Sequence, residues 1–477
     1  MAERRRVEGW IWALAALTAA GAALRFSTLS LQSFWLDEAV THRLLTRTLG
    51  GMLGSIPHSE STPPLYYVLA WVWVRVFGAG EAGLRSLSAL FGTATIVLLA
   101  LIARRLAGNR AGLAAAALAA ANPLLIWYSQ EARAYALLVA LCALSLWCLL
   151  REDWRGWALA SAAALATHYF ALFIVVPQLG WLVWRRARDS QAAVPCGDRK
   201  AAAWSAVGVV VVAAALLPLA IVQAGGDRAA FIRSRGLGGR IVAVPKQFLI
   251  GYATPHQTLL TIAAVALAVA LAVGLRRSER GLLGLAALAV GLPIVLALGG
   301  ADYLITRNVI AAIVPLVVVG AVAATRSRAG PPVVAGLCAI GIVAFAGVEG
   351  SGLYQRDDWR GVARALGPAT LGPRAVVLNP PSGAPALEVY TPLRTLPRGQ
   401  PFVTREIDVI DLQHNAPPPP STTAAIPGFT GFTICSRVQT PEYEVVRYCA
   451  PAAVTVAYFQ LVDLTLVAPR PVILTGG

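Results

Sequence analysis

Charged side chains are scarce in this chain of 477 residues, where Asp, Glu, Lys and Arg together make up 13%. A typical soluble domain has about 25% charged residues. Hydrophobic residues make up 57%, so the chain also lacks the low hydrophobicity of a disordered protein. A soluble globular protein and a disordered chain are both excluded, and a polytopic membrane protein remains.

Cysteine is also rare. The six cysteines form no Cys-x-x-Cys pair and no Cys/His spacing of a zinc site. Cysteine therefore predicts no metal centre. Cys435 and Cys449 are compatible with a disulfide in an extracytoplasmic domain and equally with two free thiols.

Lysine is nearly absent: only Lys200 and Lys246 occur, and arginine supplies almost all of the basic charge behind the net +16. Residues 349–477 contain ten Arg and ten acidic residues, so the whole excess lies in residues 1–348, between apolar runs. Basic residues in such positions orient membrane spans. A nucleic-acid partner is therefore not expected.

Apolar runs that can cross about 30 Å of hydrocarbon recur before residue 349. They predict crossings near 10–29, 84–105, 112–128, 134–150, 203–223, 258–275, 280–299, 308–324 and 331–348, with two short helices between 155 and 185. Residues 65–77 are too short to cross and predict an interfacial or re-entrant helix. With the Arg clusters inside, about eleven crossings place the N-terminus in the cytoplasm and the C-terminus outside. The first span is interpreted as uncleaved, although its pattern also fits a signal peptide.

After Val348 the composition changes, since charge returns and proline becomes frequent. The pattern predicts a helix at 359–366 and strands at 374–378, 432–436, 443–448 and 454–461. The predicted architecture is an all-α membrane domain, residues 1–348, followed by a small extracytoplasmic α/β domain, residues 349–477.

The first candidate group is Asp37 and Glu38, which follow the first span beside Phe34 and Trp35. Partly desolvated carboxylates at a membrane boundary suit a base or a metal ligand. An acidic helix start in the headgroup region is the structural alternative.

A second group is Glu131 and Arg133, between two predicted spans. Residues two apart do not face each other on a helix, whereas on a loop both can point into a cleft. A solvated turn is the alternative. Near Pro63, His58 and Glu60 are candidate metal ligands, although a structural role for Glu60 before the next helix is favoured there.

Cations on the predicted outer side form a third group. An arginine guanidinium suits a phosphate oxyanion, whereas contact with anionic lipid headgroups is the alternative. The members are Arg228, Arg233, Arg235, Arg240, Lys246 and Arg307.

Several motifs occur in a characteristic order: WLDEA, ESTPPLYY, GLRSLSALFG, NPLLIWYSQEARAY, THYFALF and RDDWRGVARAL. Over residues 10–365 this set resembles bacterial membrane glycosyltransferases of family 39, relatives of the protein O-mannosyltransferases and of the aminoarabinose transferase that modifies lipid A. The resemblance implies the GT-C fold, with about 11 to 13 transmembrane helices and additional interfacial helices. It also implies a polyprenyl-monophosphate-linked sugar donor, inverting transfer of a hexosyl or pentosyl group, and a bacterial plasma membrane.

The resemblance assigns Asp37 as general base, with Glu38 beside it, and Glu131 as the acidic residue of the second outer loop. The candidates for binding the donor phosphate are Arg307, Arg233, Arg235 and Arg133; those for binding substrate are Glu60, Tyr66, Tyr135, His168 and Tyr169. Thr62 stands where many relatives have His or Lys, so no phosphate or metal contact carries over to that position. No cofactor follows from the sequence, and a divalent metal ion remains an open alternative.

The chemistry agrees with these residue types. An acceptor hydroxyl loses a proton as it attacks the sugar, so a carboxylate within about 3 Å is a natural base. The leaving lipid phosphate is an anion that cations stabilise. The acceptor is a protein, a lipid or a glycan, which the sequence does not distinguish.

Two other function classes are alternatives: a transporter or flippase, and a non-catalytic scaffold that binds lipid phosphate. Transporters often hold ionisable residues near the midplane of repeated halves. This chain has no internal repeat, and its acidic residues lie at predicted outer helix ends. The sequence therefore favours the transferase.

Overall fold

Helices make up most of the described residues before residue 350, as the long apolar runs require. The computed structural model describes residues 2–188, 196–226, 230–233, 236–275, 280–397, 399–412, 431–462 and 472–476. In chain order the helices of this part are α1 (Ala2–Phe26), α2 (Leu36–Leu45), α3 (Leu49–Ser59), α4 (Leu65–Phe77), α5 (Glu81–Ala121), α6 (Pro123–Ser129), α7 (Tyr135–Leu150), α8 (Trp154–Thr167), α9 (Leu172–Arg188), α10 (Cys196–Ala224), α11 (Ala230–Arg233), α12 (Leu237–Ile250), α13 (Gln257–Ala272), α14 (Arg280–Leu298), α15 (Ile313–Ala324) and α16 (Gly330–Glu349).

Helix α5 is interrupted at Ala107 and Gly108, whose backbones are not helical; Gly108 has φ +79°. A Cβ on Gly112 would lie 2.9 Å from the carbonyl oxygen of Ala100. In a continuous helix these residues would be about 18 Å apart. The chain therefore turns back at Gly108, and α5 is a pair of antiparallel helices, as the two predicted crossings require.

Small residues allow the helices to pack closely in the hydrophobic core that they form. Alanines of α5, including Ala100, Ala116 and Ala119, are fully buried against α1, α7 and α15. A Cβ on Gly21 would lie 2.4 Å from Ile96 Cδ1. Without a hydrophobic driving force between helices in lipid, such van der Waals packing holds spans together.

Among the described residues, five helical segments are long and apolar enough to cross a membrane: Glu8–Phe26, Glu81–Ala121, Lys200–Ala224, Arg280–Leu298 and Gly330–Glu349. Shorter apolar helices add to them: Leu65–Phe77, Tyr135–Leu150, Tyr169–Val183, Gln257–Ala272 and Ile310–Ala324. The chain is a multi-pass membrane protein. The interfacial placement of α4 and the count of eleven crossings stay predictions.

Of two predictions about helix boundaries, one is wrong and one is confirmed. The predicted crossing at 112–128 is wrong at its end, because the helix stops at Ala121 and a separate short helix begins at Pro123. Proline lacks the N–H that would continue the first helix. The two short helices expected between 155 and 185 are confirmed, and they meet at His168.

The chain divides into two units. One contains Met1–Leu29 and Leu44–Gly347; the other contains Ser30–Arg43 and Val348–Gly477. The sequence predicts residues 30–43 as part of the membrane domain, whereas in the structure they pack with the C-terminal residues. This assignment is corrected because the pattern of one segment does not reveal a partner more than 300 residues away.

The second unit is built on a six-stranded mixed sheet. Its elements are α17 (Trp359–Leu366), β1 (Arg374–Asn379), α18 (Ala384–Tyr390), β2 (Arg394–Thr395), β3 (Phe402–Leu412), β4 (Thr433–Gln439), β5 (Tyr443–Val456), α19 (Tyr458–Val462) and β6 (Val472–Gly476). The strand order is β2-β6-β1-β3-β5-β4, and β1 and β3 are parallel. The helix at 359–366 is confirmed with the predicted bounds. The strand predicted at 454–461 is wrong, since β5 ends at Val456 and a helix follows.

Both faces of the sheet are covered. On one face, Val376, Leu378 and Ile410 pack with Trp359 of α17 and Leu387 of α18. On the other face, Ala375, Val377 and Ile407 pack with Phe432 and Leu461. A disulfide joins Cys435 to Cys449, with the Cα atoms 5.8 Å apart, and links β4 to β5.

A buried ionic group lies on the face that carries α17. Glu406 and Asp408 of β3 are fully buried. Arg447 Nε donates to Asp408 Oδ1 at 2.8 Å, and Arg374 Nη1 lies 3.4 Å from Asp408 Oδ2. Both arginines also donate to the carbonyl oxygen of Leu366. Cations at a helix C-terminus are favourable, so the group fixes the end of α17 to the sheet.

Candidate active site

The first unit contains a buried ion pair between Glu60 and Arg133, two residues that the sequence predicts to bind substrate and donor phosphate. Arg133 Nη1 and Nη2 lie 3.1 and 3.0 Å from the two carboxylate oxygens of Glu60. Glu60 ends α3, and its backbone N–H donates to Ile56 O. Arg133 lies in the loop between α6 and α7, and its carbonyl oxygen accepts from Ser88 Oγ at 3.3 Å. The ion pair therefore joins the end of α3 to the loop between α6 and α7.

Tyr66 and Tyr67 lie beside this pair and are fully buried. The Tyr67 and Thr62 hydroxyls are 3.1 Å apart, and the charges of Glu60 and Arg133 both act on Tyr67. Tyr67 thus contacts the polar cluster, and Tyr66 packs edge-on against it at 5.6 Å. Of these two tyrosines, the sequence predicts only Tyr66 as a substrate-binding residue.

Glu131 is 2% exposed. It lies in a loop that is held in place by contacts with the end of α1. Arg25, at the end of α1, is fully buried and donates to Ser129 Oγ at 3.1 Å and to Ala119 O and Ala120 O at 2.9 and 3.1 Å. Gln130 Nε2 donates to Thr28 Oγ1 at 2.7 Å. The residues on the N-terminal side of Glu131 are therefore fixed before any substrate binds.

Aromatic rings continue from this loop. Tyr128 stacks edge-on against Tyr135 at 4.8 Å, and Tyr135 lies 5.5 Å from the His168 ring. The Tyr128 hydroxyl is hydrogen-bonded to that of Tyr252. The charge of Glu131 acts on Tyr128 and on Tyr252. The motif at 127–135 is thus a buried cluster and not a solvated turn.

His168 caps the short helix that follows it. Its Nδ1 accepts the backbone N–H of Phe170 at 3.3 Å, which leaves the proton of the neutral ring on Nε2. The charges of Arg133 and Arg307 both act on this ring. His168 is 3% exposed.

Tyr169 is linked to the loop that carries Glu60. Its hydroxyl donates to Gln223 Oε1 at 2.7 Å, and Gln223 Nε2 donates to Thr62 O at 3.1 Å and Ile56 O at 3.3 Å. Gln223 lies near the end of α10 and was not singled out from the sequence. An amide at the end of an otherwise apolar span was the available signal.

The predicted cations have different surroundings. Arg307 is half-buried, with Cζ 5.3 Å from the Phe231 ring, and acts electrostatically on Tyr128 and His168. Arg233 is exposed. Arg235 and Arg228 lie outside the described residues. Arg307 thus acts on the aromatic cluster, and Lys246 also reaches it, since its Nζ donates to Tyr252 O at 3.1 Å.

Arg240 is not an open phosphate ligand. It donates to Asp302 Oδ1 and Oδ2 at 2.7 and 2.5 Å and to Leu304 O at 2.9 Å. This pair fastens the segment before Arg307 to α12. The interpretation of Arg240 as an outer cation available to a phosphate is therefore wrong.

Asp37 and Glu38 lie in the second unit, in the first turn of α2. Asp37 is half-buried, and Glu38 is fully buried. Carboxylates at a helix N-terminus are stabilised by the helix dipole. The exposure of Asp37 leaves it accessible to a substrate, whereas Glu38 is enclosed.

Metal ligation has little support in the described part of the chain, where no three His, Cys, Asp or Glu side chains are grouped closely enough to hold an ion. His58 is exposed, whereas Glu60 is engaged by Arg133. A divalent ion at His58 and Glu60 therefore stays a prediction from the sequence.

The chain resembles known proteins in one segment of its sequence and in its overall fold. Residues 61–223 match the family model of dolichyl-phosphate-mannose-protein mannosyltransferases. This segment contains Glu60's partner Arg133, Glu131, His168 and Gln223. No curated protein sequence matches the chain.

Two solved structures are similar over nearly their whole length. The crystal structure of ArnT from Cupriavidus metallidurans bound to undecaprenyl phosphate has a TM-score of 0.55 and 15% identity, covering 92% of this chain and 98% of that one. The apo structure of the same protein has a TM-score of 0.54 and 16% identity, covering 93% and 98%. The resemblance inferred from the ordered motifs is confirmed at the level of the fold. The chain is a multi-pass membrane protein of the GT-C glycosyltransferase fold.

Proposed function

We propose that the protein is a membrane glycosyltransferase that moves a sugar from a polyprenyl-monophosphate donor to an acceptor outside the cytoplasm. The observation that carries this proposal is a likeness over 98% of ArnT, a protein whose crystal structure holds undecaprenyl phosphate. The match of residues 61–223 to lipid-phosphate-sugar mannosyltransferases supports the same donor chemistry.

Asp37 acts as the general base in this proposal. The acceptor hydroxyl passes its proton to the carboxylate as its oxygen attacks the anomeric carbon, and the C–O bond to the donor phosphate breaks with inversion. Asp37 is half-buried in the first turn of α2, so an acceptor hydroxyl can reach its carboxylate. Arg307 stabilises the departing phosphate, because a cation near the developing charge lowers the barrier.

Glu131 and the His168–Tyr135 aromatic pair hold the sugar. Their burial supports a recognition role, since carboxylate and ring groups in a fixed loop can bind sugar hydroxyls and ring faces without reorganising. The bound sugar is a hexose or a pentose. The disulfide between Cys435 and Cys449 supports an extracytoplasmic C-terminal domain, because disulfides persist in oxidising compartments.

The test measures sugar release from a panel of radiolabelled polyprenyl-monophosphate sugars by membranes carrying the wild type or Asp37→Asn. Asp153→Asn is the matched control: Asp153 is the exposed N-cap of α8 and accepts from Gly156 N at 2.9 Å, and asparagine is an equally good cap. We expect release by wild type and Asp153→Asn, with loss of at least about 100-fold in Asp37→Asn. No release from any donor by folded wild type would refute the transferase and favour a transporter or a scaffold.

A further inference from the structure

The five consecutive residues Ser30 to Phe34 each form a hydrogen bond with the C-terminal part of the second unit. Ser33 Oγ donates to Asp357 O at 2.7 Å and accepts from Trp359 N at 2.9 Å. Ser33 is 1% exposed and Trp359 is also 1% exposed. One hydroxyl thus ties the short segment to the start of α17.

Arginines of the RDDWRGVARAL motif make the next contacts. Gln32 Oε1 accepts from Arg356 N at 3.0 Å and from Arg356 Nη1 at 3.4 Å. Arg360 Nη2 donates to Ser30 O at 3.0 Å and Leu31 O at 2.7 Å. These contacts give the motif a role in holding residues 30–32.

A second helix of the unit holds the next residue. Phe34 N donates to the Tyr390 hydroxyl at 2.7 Å, at the end of α18. Further along, Ala39 packs with Trp359 and Leu387, and Arg43 Nη2 lies 2.7 Å from Glu388 Oε2. Asp37 is therefore bracketed by contacts on both sides, to α17 and to α18.

The two supporting helices are themselves closely fixed. A Cβ on Gly383 would lie 1.9 Å from the Trp359 ring, so α18 approaches α17 where only glycine fits. The C-terminal end of α17 is held by Arg374 and Arg447 through the carbonyl oxygen of Leu366. Rigid support of this kind fixes a functional group to within a few tenths of an ångström.

We propose that the C-terminal domain is the positioning device of the catalytic carboxylate, with Ser33, Arg356, Arg360 and Tyr390 as positioning residues that act through the backbone of residues 30–36. This inference rests on the proposed role of Asp37 as base. None of these side chains needs to touch the substrate. Loosening them displaces the carboxylate, and a displacement of about 1 Å costs on the order of 100-fold in rate.

The test combines Ser33→Ala and Tyr390→Phe in the full chain, because each change removes hydroxyl contacts and almost no volume. The matched control is Tyr448→Phe, in the cluster on the opposite face of the sheet. Two quantities are measured: the kinetics of sugar transfer, and hydrogen–deuterium exchange of residues 30–40. An intact Cys435–Cys449 disulfide, checked by thiol alkylation, shows that the sheet has folded.

We expect kcat of the double variant to fall at least about tenfold while KM for the donor stays within about twofold, since only the base is displaced. Exchange at residues 30–40 should accelerate in the double variant and remain unchanged in Tyr448→Phe. A merely structural contact would change the exchange without the split between kcat and KM.

The outcomes separate this inference from the proposed function. If wild type transfers sugar, Asp37→Asn does not, and the double variant keeps wild-type kcat, the positioning role is refuted and the transferase stands. If the double variant exchanges as slowly as wild type, the role is also refuted. If wild type releases sugar from no donor, the proposed function fails and the positioning role falls with it.

Discussion

Glu60 and Arg133 form a bidentate ion pair across 73 positions of sequence, with both side chains at most 10% exposed. The pair joins the end of α3 to the loop between α6 and α7. Removing one partner of a buried pair leaves an uncompensated charge, which costs about 3–5 kcal/mol. The pair therefore predicts strong coupling between two loops of the first unit.

A double-mutant cycle with Glu60→Gln and Arg133→Met measures this coupling. We expect each single change to shorten the half-life of the folded protein in detergent at elevated temperature, and the double variant to lose much less than the sum. The interaction energy should exceed about 1 kcal/mol. Additive losses would contradict direct coupling. The control is Arg105→Met. Arg105 is exposed and lies in α5, 17 residues after Ser88, which contacts Arg133.

Gln223 predicts a second effect, on donor binding. Gln223→Leu removes the bonds to Tyr169, Thr62 and Ile56 and releases the loop after α3, whereas Tyr169→Phe removes one bond only. We expect a rise in the donor KM that is several-fold larger for Gln223→Leu, since each bond contributes about 1 kcal/mol. Equal effects of the two changes would refute the bridging role of the amide.

The buried carboxylates of β3 predict a pH dependence. Burial raises the pKa of Asp408 to about 6, and the nearby Glu406 adds to this rise while Arg447 and Arg374 oppose it. An unfolded aspartate has a pKa of about 3.9. Between these values the folded state binds more protons, so the free energy of unfolding falls as pH rises from about 4 to about 6.

The fall attributable to Asp408 is about 3 kcal/mol. Hydrogen exchange in β3, corrected for the intrinsic dependence on pH, measures it in the full chain. Asp408→Asn should remove this component of the slope, because an amide does not titrate, whereas Asp411→Asn should retain it. A slope that Asp408→Asn leaves unchanged would place the protonation elsewhere.

The disulfide predicts a local contribution to stability. Closing a loop of about 15 residues stabilises a fold by about 3 kcal/mol in the chain-entropy description. Replacing Cys435 and Cys449 by serine should therefore speed hydrogen exchange in β4 by on the order of 100-fold. Cys142→Ser, at a buried free cysteine of α7, should leave β4 unchanged. Alkylation of both thiols in the non-reduced wild type would contradict the disulfide.

Local patterns in the sequence predict much of the fold. Apolar runs locate the spans because lipid requires them, and α4 and α17 have the bounds that hydropathy and periodicity predict. The positions of His168 and Glu131 between helices follow from polar residues that interrupt apolar runs. These features depend on residues close together in the chain.

Long-range pairing accounts for what the sequence does not predict. Strand β3 escapes detection because Glu406 and Asp408 occupy inward positions, which only Arg374 and Arg447 on neighbouring strands make tolerable. Arg25 and Arg240 resemble flanking charges until Ser129 and Asp302 are seen beside them. Residues 30–43 likewise carry no local signal of the unit to which they belong.

The attachment of residues 30–34 to α17 and α18 also sets an order of events during synthesis. Ser33 meets partners 324 and 326 positions later, and Phe34 meets one 356 positions later. A ribosome adds about 5–20 residues per second, so this segment waits for tens of seconds after it emerges. The acidic segment therefore reaches its final conformation only after the spans have been inserted, and a chain that terminates before Arg356 carries Asp37 without the contacts that fix it.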